Sequence, residues 1–120
     1  MDKTFLLLGS LAAFLAVAIG AFGAHGLRGR LSPEMMAVFQ TGVQYHMYHA
    51  LAIILVAGIM GHLSGWLIQT AGWCFVAGIV LFSGSLYLLA VTGVTTLGAI
   101  TPIGGLLFLA GWACLAFAAI

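Results

Sequence analysis

The sequence predicts an all-α, polytopic membrane protein: one domain of four transmembrane helices, with a short interfacial helical segment between the first and second helices. Three observations predict it. Of 120 residues, 64% are hydrophobic and only 4% are charged, whereas soluble domains carry about 25% charged residues. The charges, Asp2, Lys3, Arg28, Arg30 and Glu34, all precede residue 35. The rest of the chain falls into apolar runs of membrane-spanning length separated by short, glycine-containing turns.

The first helix is predicted over residues 4–25, close to the ~20 residues that a hydrocarbon core demands. Lys3 before an apolar run that ends in Ala21, Gly23 and Ala24 resembles a secretory leader. The run is longer than a leader's apolar region, so it reads as a first span that also directs insertion. Ala12, Ala16, Gly20 and Ala24 recur every fourth residue. They form a smooth stripe that permits close helix approach, either within the protomer or across a dimer seam.

The second helix begins at Ser32-Pro33-Glu34, a serine cap followed by proline at the first helical position and an acid in the first turn. From Pro33 the helical pattern continues to Met60, too long for an upright span. It is therefore divided into an interfacial segment over residues 33–41, a bend at Gly42 and a span over residues 43–60. The alternative is one long tilted helix.

The short turn Gly61-His62-Leu63-Ser64-Gly65 makes the second and third helices antiparallel neighbours. The third span is predicted over residues 66–90 and the fourth over residues 97–119, interrupted by Pro102. Gly104 and Gly105 are further packing positions. Trp66, Trp73 and Trp112 fall toward the end holding both termini, as in an aromatic belt. Four spans put both termini on one side; Arg28 and Arg30 place the first loop inside and the termini outside. Cys74 and Cys114 lie in apolar runs and read as packing residues.

Gln44-Tyr45-His46-Met47-Tyr48-His49 is the polar stretch around which function is read. At ~100° per residue, Tyr45, His46 and His49 share one helix face with Gly42, while Gln40, Gln44 and Tyr48 share a second. Met47, Leu51 and Ile54 remain for lipid. Helix rise places His25, Ser85, Tyr87 and Thr101 in the same half of the membrane, bounded by the first and third loops. The candidate intramembrane site is therefore His25, Tyr45, His46, His49, Ser85, Tyr87 and Thr101.

The short charge inventory excludes a nucleic-acid surface. A metal or haem site would use His25, His46 and His49, but the spans offer no carboxylate or nearby cysteine to complete it. Transport of a small solute through an oligomer would use the polar layer and the break at Thr101-Pro102. Enzyme chemistry has only Ser83 or Ser85 beside His49 to draw on, with no acid to orient the imidazole, and the reading is not an enzyme. The favoured reading is a non-catalytic helper or structural bundle without a cofactor. Its expected partners are membrane lipid and either a second copy or a larger membrane protein.

Four motifs in order carry a resemblance: Gly20-Ala21-Phe22-Gly23-Ala24-His25-Gly26-Leu27, Tyr45-His46-Met47-Tyr48-His49-Ala50-Leu51, Gly84-Ser85-Leu86-Tyr87, and Leu97-Gly98-Ala99-Ile100-Thr101-Pro102-Ile103-Gly104-Gly105. Over nearly the whole chain they resemble the YgdD-type small bacterial inner-membrane proteins. These are catalogued as domain of unknown function 423, with transmembrane-protein-256-like relatives. The resemblance implies a four-helix protein of the bacterial inner membrane and no settled activity.

Overall fold

The computed structural model describes residues 3–63 and 65–120. Asp2 and Ser64, the latter inside the predicted turn between the second and third helices, lie outside the described residues. Among the described residues, four helices are long and apolar enough to span a membrane. They are α1 (Lys3–Gly26), α2 (Pro33–Ile59), α3 (Trp66–Thr92) and, after a 3-10 helix over Thr95–Ala99, α4 (Thr101–Ala118). The molecule measures 47 × 26 × 17 Å, its long axis comparable to the 40–45 Å of a bilayer with head groups.

The start of α2 follows from its cap. Ser32 is extended, and its hydroxyl accepts a 3.1 Å bond from the Met35 N–H, with Pro33 and Glu34 in the first turn. Ser32→Ala is expected to cost about 1 kcal/mol of stability, readable as a lower thermal midpoint in detergent. An unchanged midpoint would mean that the helix start is held by packing alone.

Of the two readings of residues 33–60, the structure has the single long helix. Residues 33–41 are the first turns of α2, which passes Gly42 without interruption. At about 40 Å by helix rise, such a helix matches a bilayer with its head groups, so no bend is needed. Gly42 serves another purpose: a Cβ there would stand 2.8 Å from the Tyr87 ring.

Two further expectations are met only in part. The fourth span, Thr95–Ala118, is broken just before Pro102: its 3-10 helix ends at Ala99 and α4 starts at Thr101, so Pro102 lies in the first turn of α4, where its missing N–H removes no helical bond. The seam between α1 and α2 shares Ala16 with the Ala12–Ala24 stripe but is not centred on it. The residues of α1 that are buried are Phe5, Gly9, Ala16 and Gly23. Gly9 faces Ile54 and Gly23 faces the Phe39 ring; Ala12 and Gly20 flank the seam half-buried, and Ala24 is exposed. Ile54, read as lipid-facing, packs on Gly9 because α1 covers that side of α2.

The α3–α4 seam repeats the device. Gly78 receives the Phe108 ring and Gly111 the Phe75 ring, and Gly104 lies directly against the Phe82 backbone, with Gly105 beside that ring. Between Ile79 and Ser83, α3 makes a π-helical turn, which inserts one residue and resets the faces that follow.

Two apolar clusters result. One, built on Phe5, Ile53, Val56, Ile68, Phe75 and Phe108, lies toward the end holding the termini. The other, with Leu27, Phe39 and Ala90, closes the first-loop end. Between them sit His46, His49, Ser83 and Ser85, the buried polar residues among the described ones.

Candidate functional site

Helix geometry brings the first pair together. Side chains tilt toward the N-terminus of their own helix, so on antiparallel α2 and α3 His46 and Tyr87 lean toward each other from different levels. They meet with His46 Nδ1 2.8 Å from the Tyr87 hydroxyl. The tyrosine ring passes over Gly42, which has no Cβ to block it, and packs 5.3 Å from Phe39. The Ser83 hydroxyl donates a 2.6 Å bond to the Gly42 carbonyl, fixing the same point of contact.

His49 forms the second pair, with α4. Its Nδ1 is 2.8 Å from the Tyr45 carbonyl, and the Trp112 indole N–H donates to its Nε2 at 3.1 Å. A carbonyl can only accept and an indole nitrogen can only donate. His49 is therefore the neutral imidazole with its proton on Nδ1, and its only lone pair is already engaged. The ring is stacked on Phe108, centroids 3.5 Å apart and planes 6° apart, with Phe75 at 5.6 Å.

The third pair joins α3 to α4. Ser85 donates to the Phe82 carbonyl at 2.9 Å and stands 2.6 Å from the Thr101 hydroxyl. With one proton on Ser85 already committed, Thr101 is the donor between them.

The predicted site is thus three separate interhelical pairs. His46 with Tyr87 and Ser85 with Thr101 are brought together; His49 turns to a different neighbour. Tyr45 contributes its carbonyl to His49, and its half-exposed ring packs 5.0 Å from Phe82. His25 is exposed in the last turn of α1. Among the described residues no three metal-ligating side chains converge, so His25, His46 and His49 do not form a set. Neither Ser83 nor Ser85 bonds to His49. Gln40, Gln44 and Tyr48 lie on the exposed outer face of α2.

The layer also lies deeper than expected. His46 and His49 are about 20–24 Å from the Pro33 end of α2, at the middle of the helix. Sequence reasoning missed Trp112, Phe108 and Phe75. A signal was present: Phe75 with Gly78, and Gly104 with Phe108 and Gly111, have the three- and four-residue spacings that put ring and gap on one helix face.

Residues 19–105 match the family model described as "Protein of unknown function (DUF423)". The chain belongs to the DUF423 family. The matched DUF423 segment holds every member of the three pairs except Trp112. Similar proteins include the UPF0382 membrane protein YwdK of Bacillus subtilis, 54% identical over 98% of this chain and 97% of its own. A UPF0382 membrane protein of Staphylococcus haemolyticus is 51% identical over 92% of this chain and 89% of its own. One of Staphylococcus aureus is 47% identical over 97% and 94%. No solved structure matches the chain. Four candidate spans and relatives named as membrane proteins make this DUF423 chain a multi-pass membrane protein, and nothing in those names points to catalysis.

Proposed function

We propose that the protein is a non-catalytic helper of the bacterial inner (plasma) membrane. Its polar layer selects which helices pair and does not handle a substrate. The observation that carries this reading is His49, whose two nitrogens are both used inside the bundle. Ser83, Ser85 and Thr101 likewise spend their hydroxyls on neighbouring helices or their own backbone. Polar contacts between membrane helices average only about 0.6 kcal/mol each. Their value lies in direction: an apolar face packs in many registers, whereas Trp112 and His49 meet in one. The first loop, carrying Arg28 and Arg30, faces the cytoplasm and both termini face outward.

The transport alternative would use the polar layer and the break before Pro102, but the layer's groups are already bonded to one another, Thr101 to Ser85 and Trp112 to His49. Reconstituted vesicles decide between the two. Uptake of small ions and neutral solutes is expected to equal that of protein-free vesicles. A flux that appears with the protein and collapses in His49→Phe, which keeps the stacked ring, would sink the helper reading. Purified protein is likewise expected to carry no stoichiometric metal and no visible absorbance.

A further inference from the structure

Two exposed threonine hydroxyls are satisfied on their own helices: Thr41 donates to the Ala37 carbonyl, and Thr92 to that of Leu88. Gln40 and Gln44 differ. Both are exposed on α2, and among the described residues neither has a hydrogen-bond partner. A primary amide offers two N–H donors and an acceptor oxygen. Gln44 lies about 17 Å along α2 and Gln40 about 11 Å, so Gln44 sits near the middle of the helix, where hydrocarbon offers it no hydrogen bond.

The amides open onto a groove between α1 and α2. It has a volume of about 340 Å³ and is floored by Gly20, Gly23 and Ala24. Other outward faces are built differently. Ile103, Leu106, Leu109 and Phe117 on α4 present only hydrocarbon and need no partner.

We propose that the groove and the Gln40–Gln44 face form the surface on which a second copy of this chain docks. Two copies inserted in the same orientation are related by a two-fold axis along the membrane normal. Each residue then meets its counterpart at its own depth, and Gln44 faces Gln44. An amide is its own complement, so the donor of each copy meets the acceptor of the other. Ala24, the exposed small residue of the groove, leaves room for the close approach that such bonds require. The face carries no charge to select an acidic or basic partner: Arg28, Arg30 and Glu34 are confined to the first loop and the first turn of α2. Tyr48, exposed one turn beyond Gln44, extends the polar edge.

The test is cross-linking in native membranes, in a Cys74→Ala/Cys114→Ala background with single cysteines restored. Gln40→Cys is expected to form a disulfide-linked dimer on oxidation, and Leu109→Cys, on the hydrocarbon face of α4, is not. In the otherwise native chain, Gln44→Leu is expected to lower the dimer fraction in dilute vesicles at least tenfold, as read by energy transfer between labelled copies. A native elution volume and tryptophan spectrum would show that the variant is folded. Dimers that form equally well through Leu109→Cys, a Gln44→Leu chain that still pairs, or cross-links only to a protein of another mass would each overturn the proposal. None of these readouts depends on whether the helper reading holds.

Discussion

Gly104→Ala is expected to lose about 2 kcal/mol or more of bundle stability, at the upper end of what one added methyl costs in a packed interior. The reason is the identity of the obstacle. At most of the close-packed glycines the nearest neighbour is a ring that can rotate or shift. At Gly104 the added Cβ would press on the Phe82 backbone nitrogen and stand 2.7 Å from its Cα. Backbone within a helix yields only by moving the helix, and α3 cannot withdraw without opening the Gly78–Phe108 and Gly111–Phe75 contacts on the same seam. Gly84 supplies the control, since a Cβ there meets nothing within 4 Å. Gly84→Ala should be neutral or gain about 0.5–1 kcal/mol from helix propensity. Thermal midpoints in detergent measure both. Equal midpoints for the two variants would show that the α3–α4 seam is looser than its geometry.

His49→Ala is expected to be the most damaging substitution in the polar layer, at about 3 kcal/mol. Two losses combine. The imidazole fills the space between Phe108, Phe75 and Trp112, and removing it leaves a cavity. The Trp112 N–H also loses its acceptor. Trp112→Phe keeps most of the ring volume and removes only the donor, so about 1 kcal/mol is expected there. A double-mutant cycle of His49→Phe with Trp112→Phe isolates the bond itself. A coupling indistinguishable from zero would assign the whole effect to ring packing.

The four spans were legible because each is an apolar run of about membrane thickness, and the start of α2 because Ser32-Pro33-Glu34 states it in local chemistry. Partner choice was not legible. Whether Gly42 is a hinge or a gap depends on what faces it, and Tyr87 is 45 residues away in the chain. Three tryptophans look alike in sequence. All three are partly exposed, but Trp73 packs on Phe5 and Trp112 turns its N–H to His49 through the register of α4 against α2. The Ala12–Ala24 stripe coincides with the α1–α2 seam only in part, for a related reason. The seam of α1 repeats at seven residues through Gly9, Ala16 and Gly23, the spacing of helices that stay in contact along their length, where a four-residue stripe soon rotates away from its neighbour. The polar residues were thus legible as a set, but not their division into separate interhelical pairs, since a face assignment gives a direction and not the neighbour found there.

The Trp112–His49 bond also has an electrical consequence. An imidazole whose lone pair is held by an indole N–H cannot take up a proton without first breaking that bond, and beyond Glu34 the chain has no acid, lysine or arginine. The membrane potential acts on charge, at about 2.3 kcal/mol per elementary charge per 100 mV. With His49 held neutral and no acid, lysine or arginine at depth, the bundle gives a voltage gradient little to move, and the same conformation should persist in energised and de-energised membranes.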